Sequence, residues 1–336
     1  MKNAYILIST SFLAFALVCA SAQNQNNVRN RIEGTERPSA ENQVASAKSA
    51  ISNSENGDVS NSDTGALRPV ILKSKGISSY FGYDSKYFYR SNPLATSGKL
   101  KQQATGMWTN TFFGGAGLGV YDLTDAVITP YIGASWTSND YIKGGLDTFN
   151  YNSTGAYALL LAQYSNGWSA RVGITYSNDR STENDTEDYM EFHPNIGIMK
   201  THSINDSTNG IIDLSIGRHN SESFVITGLK EGTKTASEKE LSNTEFAASY
   251  SIIYSLSKFE ITPKYRASFR TYDKGLNDGR DDLSQDISLK VDYPISDSFK
   301  LSLFSSYTKR TSDGTSVNYD FKSYDGGLGL GLNARF

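Results

Sequence analysis

Only one cysteine, Cys19, stands in the 336 residues, and it lies in an apolar leader. With the leader removed, the mature chain carries none. That excludes a disulfide framework, a thiolate zinc site and a cysteine nucleophile. After the leader, no stretch reaches the about 20 apolar residues that a transmembrane helix needs; the longest runs are 156–162 and 114–120. The formal net charge is only −3, which gives no hint of a nucleic-acid partner. No aromatic residue occurs between Gln23 and Lys75. Walker, dinucleotide and serine-hydrolase motifs are absent too. The glycines of "FFGGAGLGV" (112–120) sit inside a strand-like stretch with no helix or lysine after them. They suit curvature rather than phosphate binding.

The leader joins Lys2, an apolar run from Ala4 to Cys19 and the small residues Ala20, Ser21 and Ala22. These are the three parts of a secretory signal peptide, with cleavage expected after Ala22. As a membrane anchor the run is short. As a lipidation site, Cys19 lacks a leucine three places upstream and a small residue just before it, since Ala16 and Val18 stand there. Residues 23–75 are dominated by Asn, Ser, Glu, Ala and Gly. Such a segment buries too little apolar surface to offset its ordering entropy, and a disordered periplasmic extension is expected, with at most a short helix near 42–51. A small passenger or a peptidoglycan-binding arm is the alternative.

From Gly76 onward the pattern changes to alternation with a period of two. Phe259, Ile261, Pro263, Tyr265, Ala267 and Phe269 fall on one face, and Glu260, Thr262, Lys264, Arg266, Ser268 and Arg270 on the other. A helix cannot segregate residues in this way. Similar segments cover 76–91, 104–121, 126–141, 150–165, 167–179, 188–203, 209–223, 243–256, 258–273, 282–294, 298–311 and 319–336, of which 150–165 is apolar on both faces. Short and long connections alternate between them, and Trp136, Trp168, Tyr176, Tyr254 and Tyr293 lie near segment ends. The expected fold is all-β: a transmembrane antiparallel up-and-down β-barrel over 76–336 with about 12 strands, within a range of 10–14. Strand pairing around a closed barrel leaves no edge exposed to lipid.

The final segment reads "YDGGLGLGLNARF", with Leu328, Leu330, Leu332, Ala334 and Phe336 on one face. It resembles the C-terminal targeting signal of Gram-negative outer-membrane β-barrels, in which a terminal Phe follows alternating apolar residues. That resemblance implies residence in the outer membrane after export through the periplasm. It makes Leu328, Leu330, Leu332 and Phe336 an assembly signal read by the barrel assembly machinery. The tyrosine-rich opening "YFGYDSKYFYRSNP" (80–93) also resembles barrel porins encoded beside exopolysaccharide systems. Outer-membrane lipids and lipopolysaccharide are the implied surroundings, and small solutes or exopolysaccharide the implied cargo or ligand.

If the apolar faces meet lipid, the opposite faces line the lumen. Candidate pore-lining residues are Arg171, Glu191, Asp213, Glu260, Lys264, Arg266, Arg270, Asp286, Lys290 and Asp292. Lys264, Arg266 and Arg270 form a basic ladder, with Asp286, Lys290 and Asp292 on the next strand. The ladder either steers anionic solutes through a narrow channel or belongs to a salt-bridged plug. The corresponding functions are a porin-like channel for passive diffusion and a non-conducting barrel acting through its loops. His219-Asn220-Ser221 resembles the His-x-Ser pair of outer-membrane phospholipase A, but alternation turns it inward, Glu222-Ser223 replaces the following Asn-Gly, and Thr233 stands where an Asn is needed. No catalysis and no cofactor are expected. No metal site is expected either: His193 and His202 are far apart along their strand. The acidic loops 180–189 and 273–286 suit solvated tips, or weak Ca²⁺ contacts bridging to lipopolysaccharide phosphates.

Overall fold

The computed structural model describes residues 28–33, 76–97, 104–224, 230–231, 234–235, 237–315 and 319–336. The leader with Cys19, most of the extension and the helix expected near 42–51 lie outside the described residues.

Twelve long strands form a closed antiparallel barrel. In chain order they are β1 Ser78–Arg90, β2 Thr105–Gly117, β3 Ala126–Tyr141, β4 Tyr151–Tyr164, β5 Trp168–Ser181 and β6 Glu187–Asn205. There follow β7 Thr208–Ser223, β8 Asn243–Leu256, β9 Phe259–Tyr272, β10 Asp281–Pro294, β11 Phe299–Asp313 and β12 Phe321–Arg335. Each strand pairs with its sequence neighbours, and β1 pairs with both β2 and β12, which closes the sheet. At the seam the Phe336 amide donates to the Ser79 carbonyl at 2.9 Å, and the Ser79 amide donates back to the Phe336 carbonyl at 3.1 Å.

Alternation locates the strand ends to within about two residues, except at the end of β2, which stops at Gly117 rather than 121. Gly119 there has φ +103°, in the left-handed region, and the ladder breaks. Tyr121 and Asp122 then re-pair with β3 as a two-residue strand. The Asn166-Gly167 turn between β4 and β5 needs its glycine: φ is +82°, and a Cβ would lie 2.7 Å from the Thr201 carbonyl oxygen.

One face of each strand is an apolar outer belt. On β5, Trp168, Val172 and Ile174 are exposed outward, whereas Ser169, Arg171, Thr175, Ser177 and Asp179 are buried inward. Aromatics cluster at both rims, with Tyr87, Trp108 and Tyr307 exposed toward the long loops and Trp168, Tyr254 and Phe259 toward the short turns. An outer belt of this kind suits hydrocarbon, with amphipathic rings at the two interfaces. The doubly apolar β4 has a reason: Leu159 and Leu161 turn inward and pack with Tyr131 and Met199.

The long connections gather at one end of the barrel, opposite the end where β1 begins and β12 finishes. Inside the long-loop end sits α1, residues 28–33. These six residues depart from the expectation of a disordered extension. Ile32 is fully buried against Tyr189 and Leu241, with Val28 packed beside them. This apolar contact comes from the barrel, so the composition of the segment alone does not reveal it.

Candidate functional site: the lumen and its plugged mouth

All ten expected pore-lining residues occupy inward-facing strand positions, opposite the apolar belt. Their partners differ from one to the next. Arg171 on β5 and Asp213 on β7 form a bidentate pair across β6, with Arg171 Nη2 donating to Asp213 Oδ1 at 2.8 Å. Both side chains are buried. Gly197 stands between them on β6, and a Cβ there would lie 2.6 Å from the guanidinium carbon. The guanidinium thus lies flat on the wall because position 197 has no side chain.

The basic ladder is partly neutralised. Arg266 Nη2 lies 2.6 Å from Glu245 Oε1, and Arg270 Nε lies 2.5 Å from Glu245 Oε2. Glu245 belongs to β8, on the opposite side of β9 from the acidic strand considered above. On β10, Asp286 accepts from Thr308 at 2.9 Å, and Asp292 pairs with Lys290 at 2.6 Å. Lys264 faces Ser251 and Ser288 across its two ladders. Glu260 is exposed on the inner face near the short turns.

Sequence reasoning missed the charged lattice at the mouth. Glu33 of α1 lies 2.7 Å from Arg280 and 3.2 Å from Arg310. Arg280 also pairs with Asp282 at 2.6 Å, and its guanidinium lies 3.8 Å from the Tyr319 ring centroid. Arg29 lies 3.0 Å from Glu240 and donates to Asn277 Oδ1 at 2.9 Å. Arg31 lies 2.7 Å from Asp188 and covers the Tyr151 ring at 4.2 Å. Burial pushes the Glu33 carboxyl up, but Arg280, Arg310 and Arg29 outweigh it and hold it well below the usual carboxylate range. Burial pushes the nearby Glu240 carboxyl up and the Tyr319 phenol to about 12. The one sequence signal was "VRNRIEG" (28–34), which combines opposite charges with Val28 and Ile32 four apart in a segment otherwise poor in apolar residues.

Several carboxylates of the two acidic loops also have cationic partners: Asp185 with Arg180, Asp188 with Arg31, Asp273 with Arg218 and Asp282 with Arg280. At the His-x-Ser segment, the Ser221 hydroxyl pairs with that of Ser242 at 3.4 Å. His219 Nδ1 lies 3.0 Å from Glu191 while its Nε2 has no hydrogen-bond partner among the described residues, Ser221 included. Register brings His193 and His219 together across β6 and β7, a pairing that spacing along one strand does not reveal.

Leu328, Leu330 and Leu332 face outward on β12, and Phe336 is exposed at the seam.

Fold and lumen together define a membrane-spanning type of β-barrel, with twelve antiparallel strands, an apolar outer belt and a polar, charged interior. No family model and no curated relative matches the chain. Solved structures do match. An outer-membrane channel from Pseudomonas putida F1 is 10% identical, with TM-score 0.45, covering 82% of this chain and 100% of that one. The KdgM porin, solved with disordered oligogalacturonate, is 10% identical with TM-score 0.39, covering 75% and 98%. The translocator domain of the autotransporter NalP from Neisseria meningitidis is 9% identical with TM-score 0.40, covering 78% and 90%. The likeness is one of general architecture.

Proposed function

We propose that this chain is an outer-membrane, porin-like channel for small hydrophilic solutes, with anionic sugars as the candidate class, closed at its long-loop end by α1. The observation that carries this reading is the charged inner wall meeting a separate charged plug. Buried ion pairs are poor stabilisers compared with apolar packing of equal volume. A barrel selected only for stability has no use for so many of them. A lattice completed by a segment outside the sheet can come apart without breaking any strand pairing. Lys264 and the Arg266–Arg270 pair would then meet solutes in a low-dielectric passage, where fixed charge selects by sign.

The same reading carries export on the 1–22 leader, insertion by the barrel assembly machinery through Leu328, Leu330, Leu332 and Phe336, and contact with outer-membrane lipids and lipopolysaccharide. The long loops would then face the exterior.

A second reading, a non-conducting barrel that binds a partner or surface polymer through its loops, is favoured by the apolar anchoring of Ile32 on Tyr189 and Leu241. Planar-bilayer recordings of the full exported chain separate the two. Ion-selective steps, even brief ones, support the channel. Silence from a folded barrel, together with silence from the same chain carrying Glu33→Gln, supports the second reading.

A further inference from the structure

We infer that Glu191, His193 and His219 form a divalent transition-metal site on the lumen wall, suited to Zn²⁺. Glu191 and His193 lie two residues apart on β6 and share its inner face; His219 comes from the inner face of β7, beside them in the register. One ligand atom from each of the three lies within 4.8 Å of the others. Cross-strand neighbours on one face hold their Cβ atoms about 5 Å apart, close enough for small side-chain rotations to bring two imidazoles and a carboxylate onto one tetrahedral ion. The two rings lie face to face at 3.8 Å between centroids, so they are close enough to share an ion once each turns its in-plane nitrogen toward it. Gly217, next to His193 across the register, leaves the space that the His193 ring occupies.

The surrounding polar atoms point the same way. Among the described residues, His219 Nε2 is buried without a hydrogen-bond partner. So are the Oδ1 atoms of Asn243, directly across from His219 on β8, and of Asn195, two residues from His193. Buried polar atoms are nearly always satisfied; an ion shared with Glu191 would sit at His219 Nδ1, already 3.0 Å from that carboxylate, and leave Nε2–H free to donate to a water that also reaches the two amide oxygens. Tyr189 donates to Glu191 Oε2 at 2.5 Å, which orients the carboxylate as an outer partner orients a metal ligand. Two neutral imidazoles and one carboxylate leave the ion a further position open to the lumen, and this donor set prefers Zn²⁺, Cu²⁺ or Ni²⁺ over Ca²⁺ or Mg²⁺. Glu245 adds negative charge nearby, and Arg266 and Arg270 neutralise it.

The test uses the full exported chain, folded in detergent and carrying no polyhistidine tag, with Zn²⁺ and Co²⁺ as probes. The expected result is one Zn²⁺ per chain, and for Co²⁺ a visible absorption band of a low-symmetry site. His193→Ala and His219→Ala should each weaken binding at least tenfold, while His202→Ala, which changes the remaining histidine, should not. In the unmutated chain, Zn²⁺ should protect His193 and His219, but not His202, from imidazole-directed acylation mapped by mass spectrometry. This readout does not depend on any variant folding. Absence of protection at His193 and His219 overturns the site, as does Zn²⁺ binding that folded His193→Ala and His219→Ala chains retain in full, which would place the ion on the acidic loops.

Discussion

Glu33 and Arg280 meet at 2.7 Å inside the barrel mouth, although 247 positions separate them in the chain. Glu33 arrives on a helix outside the sheet; Arg280 belongs to the loop before β10. Both side chains are almost wholly buried. Removing one member of a buried pair typically costs about 3–5 kcal/mol because the other charge is left uncompensated. Arg280 keeps Asp282 as a partner, so the lower end applies. Glu33→Gln should therefore shift the docked helix toward release by roughly a hundredfold, taking about 1.4 kcal/mol per tenfold. Single-channel recording should show a longer open time; an unchanged open time would remove α1 from gating.

Acid should act in the same direction. Burial raises the Glu33 carboxyl, but Arg280, Arg310 and Arg29 outweigh it and depress it when docked. Released, it should titrate near about 4.3. A group depressed in the docked state contributes its full stabilisation above the released value and loses it as pH falls through the docked value. Glu240 works in the opposite sense, because burial raises it, and offsets part of the effect. Docking should thus hold at neutral pH and weaken below about pH 4. Conductance measured from pH 7 downward should rise there in the unmutated chain, with a smaller rise in Glu33→Gln.

Arg171 and Asp213 make a different prediction, since both belong to the sheet. Asp213→Leu alone strands a buried guanidinium, and should cost about 3–5 kcal/mol. Arg171→Met combined with Asp213→Leu should recover most of that loss. Urea unfolding followed by heat-modifiable gel mobility reads both, and a double variant as unstable as the single one would contradict the pairing.

Selectivity should respond to Glu245 more sharply than to any single ladder residue. Its carboxylate pairs with both Arg266 and Arg270. Glu245→Gln leaves two cations without their partner and should raise anion preference in reversal potentials under a salt gradient. Replacing Lys264, Arg266 and Arg270 together should lower it. Reversal potentials unmoved by either change would mean that ions do not pass this wall.

Alternation made most of the barrel legible. Phe259 to Phe269 announced both the lipid face and the lumen face of one strand, because a period of two assigns every side chain once the apolar face is known. The ten inward candidates follow from that parity alone. Their partners do not. Glu245 reaches Arg270 across β8 and β9, and Arg171 reaches Asp213 over Gly197; both depend on register and on one missing side chain.

The sequence by itself determined the fold, since strand parity and loop lengths are local features that repeat along the chain. Tertiary structure alone decided what fills the mouth and which histidines meet. Val28 to Glu33 is polar and short, with too little apolar surface to order itself, and becomes a helix only where Tyr189, Leu241, Arg280 and Arg310 surround it. His193 and His219 are strangers in sequence and neighbours in the sheet, because an antiparallel ladder sets distance by register rather than by separation along the chain.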